Sequence, residues 1–262
     1  MAAIGKDVTY FGYYGQLANQ QNMLSDTVRT GAYHWAVSRN PSDFFNKVVL
    51  DVGAGSGILS FFAAQTGASK VYAVEASDVA SCAALLAASN GYGEIIKVVK
   101  SRLEEVKLPE KVDTIISEPM GVLLVHERMI ESYVRARDMF LKPGGSMYPS
   151  SSKIYLAPFT DSALFTETMS KVRFWNQADF YGINLDVLQA HALAQHFAQP
   201  VVGCFDPRTL LSPPAEKEIN FLTVTLEQLK EFDVDFNFVA KYTGLIHGEP
   251  PPSCTHEAPR WY

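Results

Sequence analysis

Apolar residues recur along this chain in two different rhythms, and the change falls near residue 145. In the first part, short apolar runs alternate with segments of helical spacing. Val48-Val49-Leu50-Asp51 predicts a strand ending in an acid, and Gly53-Ala54-Gly55-Ser56-Gly57 predicts the turn that follows it. Ile58 to Gln65 has the spacing of a helix, with Gly67 placed to end it. Val71 to Glu75 predicts a second strand and the Ala-rich 77–89 segment a second helix. Ile95 to Val99 and Val112 to Ser117 predict two more strands, and Glu127 to Phe140 another helix. Such alternation implies an α/β, doubly wound parallel sheet that binds ligands at the carboxyl ends of its strands.

Upstream of the alternation, Ser25 or Asp26 can cap a helix running through Val28, Tyr33, Ala36 and Val37, which Pro41 breaks. Tyr10-Phe11-Gly12-Tyr13-Tyr14 makes the start aromatic. After Lys142-Pro143-Gly144-Gly145 the alternation stops, and Pro149 with Ser150-Ser151-Ser152 reads as a linker. Lys153 to Leu156, Phe221 to Leu226 and Val234 to Phe238 then read as strands of an antiparallel region. Helical patches at Ser162–Ser170 and Leu185–Phe197 flank Phe174-Trp175 and Phe180-Tyr181, aromatics of the kind found on contact surfaces.

Composition narrows the functional classes. A net charge of −6 argues against a protein that tracks nucleic-acid phosphates and suits basic protein partners. The three cysteines, Cys82, Cys204 and Cys254, are odd in number and widely spaced, which fits neither a disulfide framework nor a metal site. They suggest a reducing compartment. Met1 to Asp7 holds no apolar signal core and no run is long enough to span a membrane, so cytosol or nucleus is expected.

Two stretches carry candidate chemistry. Glycines at 53, 55 and 57 let a ligand approach bare backbone, but Ile58 stands where a dinucleotide fingerprint needs its third glycine. The spacing therefore disfavours a pyrophosphate and a nicotinamide oxidoreductase. Glu75, at a strand end, can accept from both hydroxyls of a ribose. A nucleoside without pyrophosphate points to S-adenosyl-L-methionine. The second stretch is Ser117-Glu118-Pro119-Met120-Gly121, returning at Glu127-Arg128-Met129. Its two acids, nine residues apart across a turn, suit one planar guanidinium with its fork of N–H donors.

Val49 to Ser60, Val71 to Ser77 and the acid loop, in this order, resemble the type I protein arginine methyltransferases. Pro119, with Asn22-Met23-Leu24 and Val28-Arg29-Thr30-Gly31 upstream, resembles the coactivator-associated, histone-arginine branch. The similarity runs from about Tyr10 to Gly248 and implies three parts. These are a helical cofactor lid over 1–40, a Rossmann-like methyltransferase domain over 41–148, and an incomplete antiparallel β-barrel-like domain over 149–262 with a helical dimerisation arm at 160–198. It implies methyl transfer from S-adenosyl-L-methionine to arginines of histones, RNA-binding proteins or coactivators, giving mono- and asymmetric dimethylarginine. A homodimer in nucleus and cytoplasm that regulates transcription is also implied, with no nucleic-acid, membrane or metal partner.

The resemblance assigns catalysis to Glu118 and Glu127. Arg29 takes the methionine carboxylate and Glu75 the ribose, while the Leu103 backbone and Glu104 face the adenine. Tyr14, with Tyr10 and Phe11, covers the cofactor, and Met23 and Met129 border the target nitrogen. Gln20, Asp51, Gly53, Gly55, Gly57 and Ser132 complete the cofactor set. Val122 and His126 depart from the family's usual Tyr and Asn or aromatic. The family's barrel continues beyond the equivalent of His247-Gly248 to a Thr-His-Trp loop, which Thr255-His256 does not reproduce. The resemblance thus leaves open a non-catalytic module that binds cofactor or dimerises.

Overall fold

The computed structural model of the protein describes residues 10–198 and 201–247. Expectations for Met1 to Thr9 and for Gly248 to Tyr262, including Cys254 and Thr255-His256, lie outside the described residues. The chain forms two compact units, one running to Lys153 and regaining the chain at Glu218–Asp233, the other holding Ile154–Lys217 and the chain from Val234.

The first unit is built on five strands: β1 (Val48–Val52), β2 (Lys70–Glu75), β3 (Ile96–Lys100), β4 (Val112–Ser117) and β5 (Leu141–Tyr148). All neighbours are parallel, in the order β3-β2-β1-β4-β5. The order reverses between β1 and β4, whose ends are in register at Val52 and Ser117. A crevice for ligands opens at such a point. Val49, Leu50, Val71, Ala73, Ile115 and Ile116 are fully buried, which explains why β1, β2 and β4 carry apolar runs rather than a strict alternation.

Helices α1 (Leu17–Ser25), α2 (Thr27–Ser38), α3 (Ile58–Gln65), α4 (Ala80–Ser89) and α5 (Met129–Phe140) belong to this unit. Asp26 caps α2, accepting from the Arg29 N–H at 2.9 Å, as the sequence predicts. Gly67 ends the α3 turn at φ +93°, and a Cβ there would meet Phe45 at 2.6 Å.

Four expectations fail. Lys142-Pro143-Gly144-Gly145 does not end the sheet but lies inside β5. The register slips from Val112/Leu141 to Thr114/Ser146, and the extra residues bulge out with Gly144 at φ +75°. An edge strand tolerates Pro and Gly where a central one does not. Ser151 and Ser152 are not linker but open β6 (Ser151–Leu156), which pairs with β7 (Ala215–Asn220). Finally, Phe221–Leu226 is not a strand. Thr225 forms a capping box with Gln228 and starts α8 (Leu226–Lys230), and 232–240 carries no regular structure. The alternating apolar residues at 234–238 have no strand beside them among the described residues.

In the second unit, α6 (Ser162–Arg173) is capped by Asp161, and α7 (Gln189–His196) follows a single 3-10 turn. Tyr181, Ile183 and Val187 between them stand out at 93%, 61% and 74% exposure, so the aromatic segment is a surface rather than a core. Among the described residues no helix is long and apolar enough to cross a membrane, and no acid–His–Cys cluster could hold a metal.

Candidate active site

Two loops leave the carboxyl ends of β1 and β4. The first is the glycine loop. Gly53, Gly55 and Gly57 all have positive φ, at +71°, +56° and +89°, where other residues are strained. Two of them also yield space to neighbours. A Cβ on Gly53 would meet the Met129 methyl at 2.5 Å, and one on Gly55 would meet Gln20 Oε1 at 2.8 Å. The sequence reasons for glycine here, conformation and close approach, therefore act together.

Acids line this loop. Glu75, 8% exposed, accepts from the Gly55 N–H at 2.8 Å and the Ser77 N–H at 2.7 Å, one at each oxygen. Each oxygen keeps a lone pair for a further donor. Gln20 is buried; its Oε1 accepts from the Ser56 N–H at 3.0 Å, and its Nε2 donates to the Tyr14 carbonyl at 2.9 Å. It thus ties the N-terminal segment to the glycine loop. Asp51 is wholly buried under the loop. Its Oδ2 accepts from the Ser60 hydroxyl at 2.7 Å, while Oδ1 has no partner. Burial pushes this carboxyl up to about 7 against the opposing pull of Ser60.

The second loop carries the acid pair. Glu118 follows β4 directly and forms an ion pair with the Arg29 guanidinium presented by α2. Burial raises the Glu118 carboxyl, with Arg29 opposing it and Glu127 adding to it. Glu127 lies on the same loop, its stem against Gly121, where a Cβ would meet Glu127 Cγ at 2.6 Å. Tyr14 and Tyr10 both donate their hydroxyls to Glu127 Oε2, at 2.8 and 3.2 Å. Burial foremost, with Glu127 beside them, drives both phenols well above their ordinary range, so they remain donors. Leu123, Leu124 and Arg128 hold positive φ at 57°, 64° and 61°, and the Leu124 N–H donates to the Gly121 carbonyl at 2.9 Å to close the turn.

Helix α5 links the two sides. Met129, its first residue, lies over Gly53, and Ser132 one turn later donates to Glu104 at 3.2 Å. Glu104 is exposed and Leu103 buried in the same 3-10 turn, while Met23 is half-buried on α1. Glycine loop, Gln20, Glu75 and Met129 thus come together, as do Arg29 with Glu118 and the two tyrosines with Glu127. Sequence reasoning did not foresee Ser60 beneath Asp51, although a strand-turn-helix of this length brings them together. It also missed Gly121 as the seat of Glu127, for which the close spacing across the turn was the available signal.

Residues 41–150 match the family model of ribosomal protein L11 methyltransferase, and 150–249 match the arginine methyltransferase oligomerization subdomain. The chain is 55% identical over 240 residues to a probable histone-arginine methyltransferase CARM1 of Oryza sativa subsp. indica, covering 91% of this chain and 46% of the relative. It is 49% identical to the histone-arginine methyltransferase CARMER of Anopheles gambiae, covering 91% of this chain and 38% of the relative. The chain spans less than half the length of these relatives. Among solved structures, it resembles Arabidopsis thaliana protein arginine methyltransferase 10 in an open conformation, with a TM-score of 0.75, 38% identity, and coverage of 84% of this chain and 67% of the other. It also resembles the Trypanosoma brucei PRMT1 enzyme-prozyme complex with AdoHcy, with a TM-score of 0.73, 34% identity and coverage of 82% and 66%. The sheet order, the acid loop and these matches agree that the chain belongs to the type I protein arginine methyltransferase family.

Proposed function

We propose that the protein transfers methyl groups from S-adenosyl-L-methionine to guanidinium nitrogens of arginine in protein substrates, histones among them, giving mono- and asymmetric dimethylarginine. The observation that carries this reading is the acid loop: Glu118 and Glu127 stand on one short turn whose β4 strand adjoins the glycine loop's β1.

The residues present fit the methyl donor. The unpartnered Oδ1 of buried Asp51 suits a cationic amine, and the three positive-φ glycines leave backbone open beside it. Glu75 would hold the ribose hydroxyls, with Glu104, the Leu103 backbone and Ser132 toward the adenine. Gln20, Tyr14 and Met129 would enclose the cofactor. Arg29 engages Glu118 through one terminal nitrogen, and its remaining N–H groups suit the methionine carboxylate. When bound, the donor supplies an electrophilic methyl on a sulfonium.

The protein's own part is positioning and electrostatics. An arginine side chain stays protonated at cellular pH, and its delocalised nitrogens are poor nucleophiles. Glu118 and Glu127, facing one guanidinium, draw positive charge onto the nitrogens they touch. Electron density stays on the nitrogen turned toward the methyl. The phenols occupy one oxygen of Glu127 and leave the other for substrate. A preorganised charged group of this kind lowers the barrier by about 3–4 kcal/mol. Met23 and Met129 would shape the space around the target nitrogen.

Exposed Tyr181, Ile183 and Val187 support a homodimer through the 160–198 segment. A role in transcription in nucleus and cytoplasm, on histones, RNA-binding proteins or coactivators, follows from the same reading. The test is Glu127→Gln: S-adenosylhomocysteine binding by calorimetry should be unchanged and methylarginine formation at least about a hundredfold lower. Undiminished turnover overturns the assignment of Glu127. Cofactor binding by the wild-type chain without any methylarginine reduces the protein to a cofactor-binding module.

A further inference from the structure

One buried hydroxyl behind the acid loop has no role in the reading above. Tyr33 sits on α2, four residues after Arg29, so both side chains leave the same helix face. Its hydroxyl donates to the Ser117 carbonyl at 2.9 Å, in a contact that is wholly buried. Ser117 is the last residue of β4 and is itself 0% exposed. Its own hydroxyl donates to the Val52 carbonyl at 2.7 Å, at the end of β1. The residue immediately before Glu118 is therefore gripped twice, once by the helix that carries Arg29 and once by the strand that feeds the glycine loop.

We infer that Tyr33 is a positioning residue for Glu118, acting through the Ser117 carbonyl to fix where the carboxylate leaves the strand. This rests on Glu118 being one of the two acids that hold the arginine. The geometry explains why a tyrosine, rather than an apolar residue, fills a core position. Val37, one turn further along the same face, is also buried and carries no polar group. Tyr33 and Arg29 together make two consecutive turns of α2 hold two consecutive residues, Ser117 and Glu118. A rotation or slide of the helix moves both contacts at once. The site then gains an acid whose backbone and side chain are fixed by one rigid element, which is what near-attack placement demands. The charged and titratable groups around the hydroxyl are Glu118 on the acid loop, Arg29 on α2, Asp51 on β1 and Tyr133 on α5, and burial keeps the phenol protonated among them.

The experiment is Tyr33→Phe, which keeps the ring and removes only the donor. In the full chain the expected result is a drop in kcat of about tenfold with the Kd for S-adenosylhomocysteine unchanged. The same substitution made on Glu118→Gln should cause no further loss, because there is no carboxylate left to place. Tyr33→Phe with a lower Tm but unaltered kcat, or with equal losses in both backgrounds, overturns the inference and leaves Tyr33 a packing residue. A second measurement does not depend on turnover. With glutamate carboxyl carbons labelled with carbon-13, the Glu118 line, assigned by its disappearance in Glu118→Gln, should shift and broaden in Tyr33→Phe. An unchanged line overturns the inference. If the wild-type chain makes no methylarginine, the enzymatic reading fails and the labelled line alone judges Tyr33.

Discussion

The glycine loop and the acid loop leave neighbouring strands at the same end of one sheet, yet they differ in what their backbone conformations cost and in which groups hold them. The glycine loop takes three positive-φ conformations at residues for which these cost little. Its N–H groups are held by backbone, Gly53 and Ala54 donating to the Val74 carbonyl at 2.9 and 3.0 Å, and by the Glu75 and Gln20 side chains. The acid loop places Leu123, Leu124 and Arg128 in that same region, where each side chain costs about 1–2 kcal/mol. Side chains from distant segments hold its acids, Arg29 for Glu118 and Tyr10 and Tyr14 for Glu127. The glycine loop's shape is written largely into its backbone, whereas the two acids are placed by side chains from segments far away in sequence.

Changing either loop tests this contrast. The largest effect is expected from Gly53→Val, which forces a side chain into φ +71° and onto the Met129 methyl. Cofactor affinity should fall at least about a hundredfold, consistent with several kcal/mol of clash and strain, with calorimetry as the measure. Affinity within threefold of wild type would show that the loop is not backbone-encoded.

Next comes Asp51. Its folded carboxyl sits at about 7, above its unfolded value near 3.9, so the folded state binds the extra proton. Stability is therefore greatest below about pH 4 as far as this group is concerned, and declines as pH rises to about 7. The full range is about 4 kcal/mol. Asp51→Asn should flatten that decline when chemical denaturation is followed between pH 4.5 and 7.5, and a slope identical to wild type counts against a buried, proton-hungry acid.

Gly121→Ala acts on the acid loop alone. Its methyl would stand 2.6 Å from Glu127 Cγ and 2.9 Å from Cβ, too close to the backbone for the stem to swing aside. Turnover should drop about tenfold with cofactor affinity retained, since the acid is displaced rather than removed. The smallest effect is expected from Leu123→Gly, which relieves strain at φ 57° but gives up some chain entropy. Stability should rise by at most about 1 kcal/mol while turnover falls, read by thermal melting alongside the methyl-transfer assay.

Much of this was visible along the chain, for particular reasons. The central strands β1, β2 and β4 carry apolar runs because most of their residues are buried, and the Asp26 cap and Gly67 stop mark helix ends by local chemistry. The fifth strand was hidden because Pro143 and Gly144 belong to a bulge, a feature that depends on β4 lying alongside. Phe221–Leu226 misled because it is a turn in which Phe221 alone is buried, meeting the Tyr133 ring at 5.6 Å, while Leu222 is exposed. In the candidate site, residue types singled out the groups that the fold brings to one end of the sheet: the glycines, Glu75, Glu118 and Glu127. Which donor meets which acceptor was not legible. Tyr14 and Glu127 are 113 residues apart, and only the folded sheet brings the two ends together.

The first unit also carries a timing constraint. Arg137, in the last turn of α5, donates to the carbonyls of Phe221 and Val224 at 2.6 and 2.8 Å, partners that lie 84 and 87 residues further along. On the ribosome, that guanidinium is made long before these two carbonyls exist, and until then its partner is the neighbouring Asp138. Between the two, the polypeptide runs out through Ile154–Lys217 and back. The methyltransferase fold is thus a ring with an inserted excursion, and its closure waits on translation of the returning piece. Until then the helix that carries Met129 and Ser132 is packed through Ile130, Val134, Ala136 and Phe140, with the Tyr133 hydroxyl on the Pro149 carbonyl, but lacks this last clasp near its end.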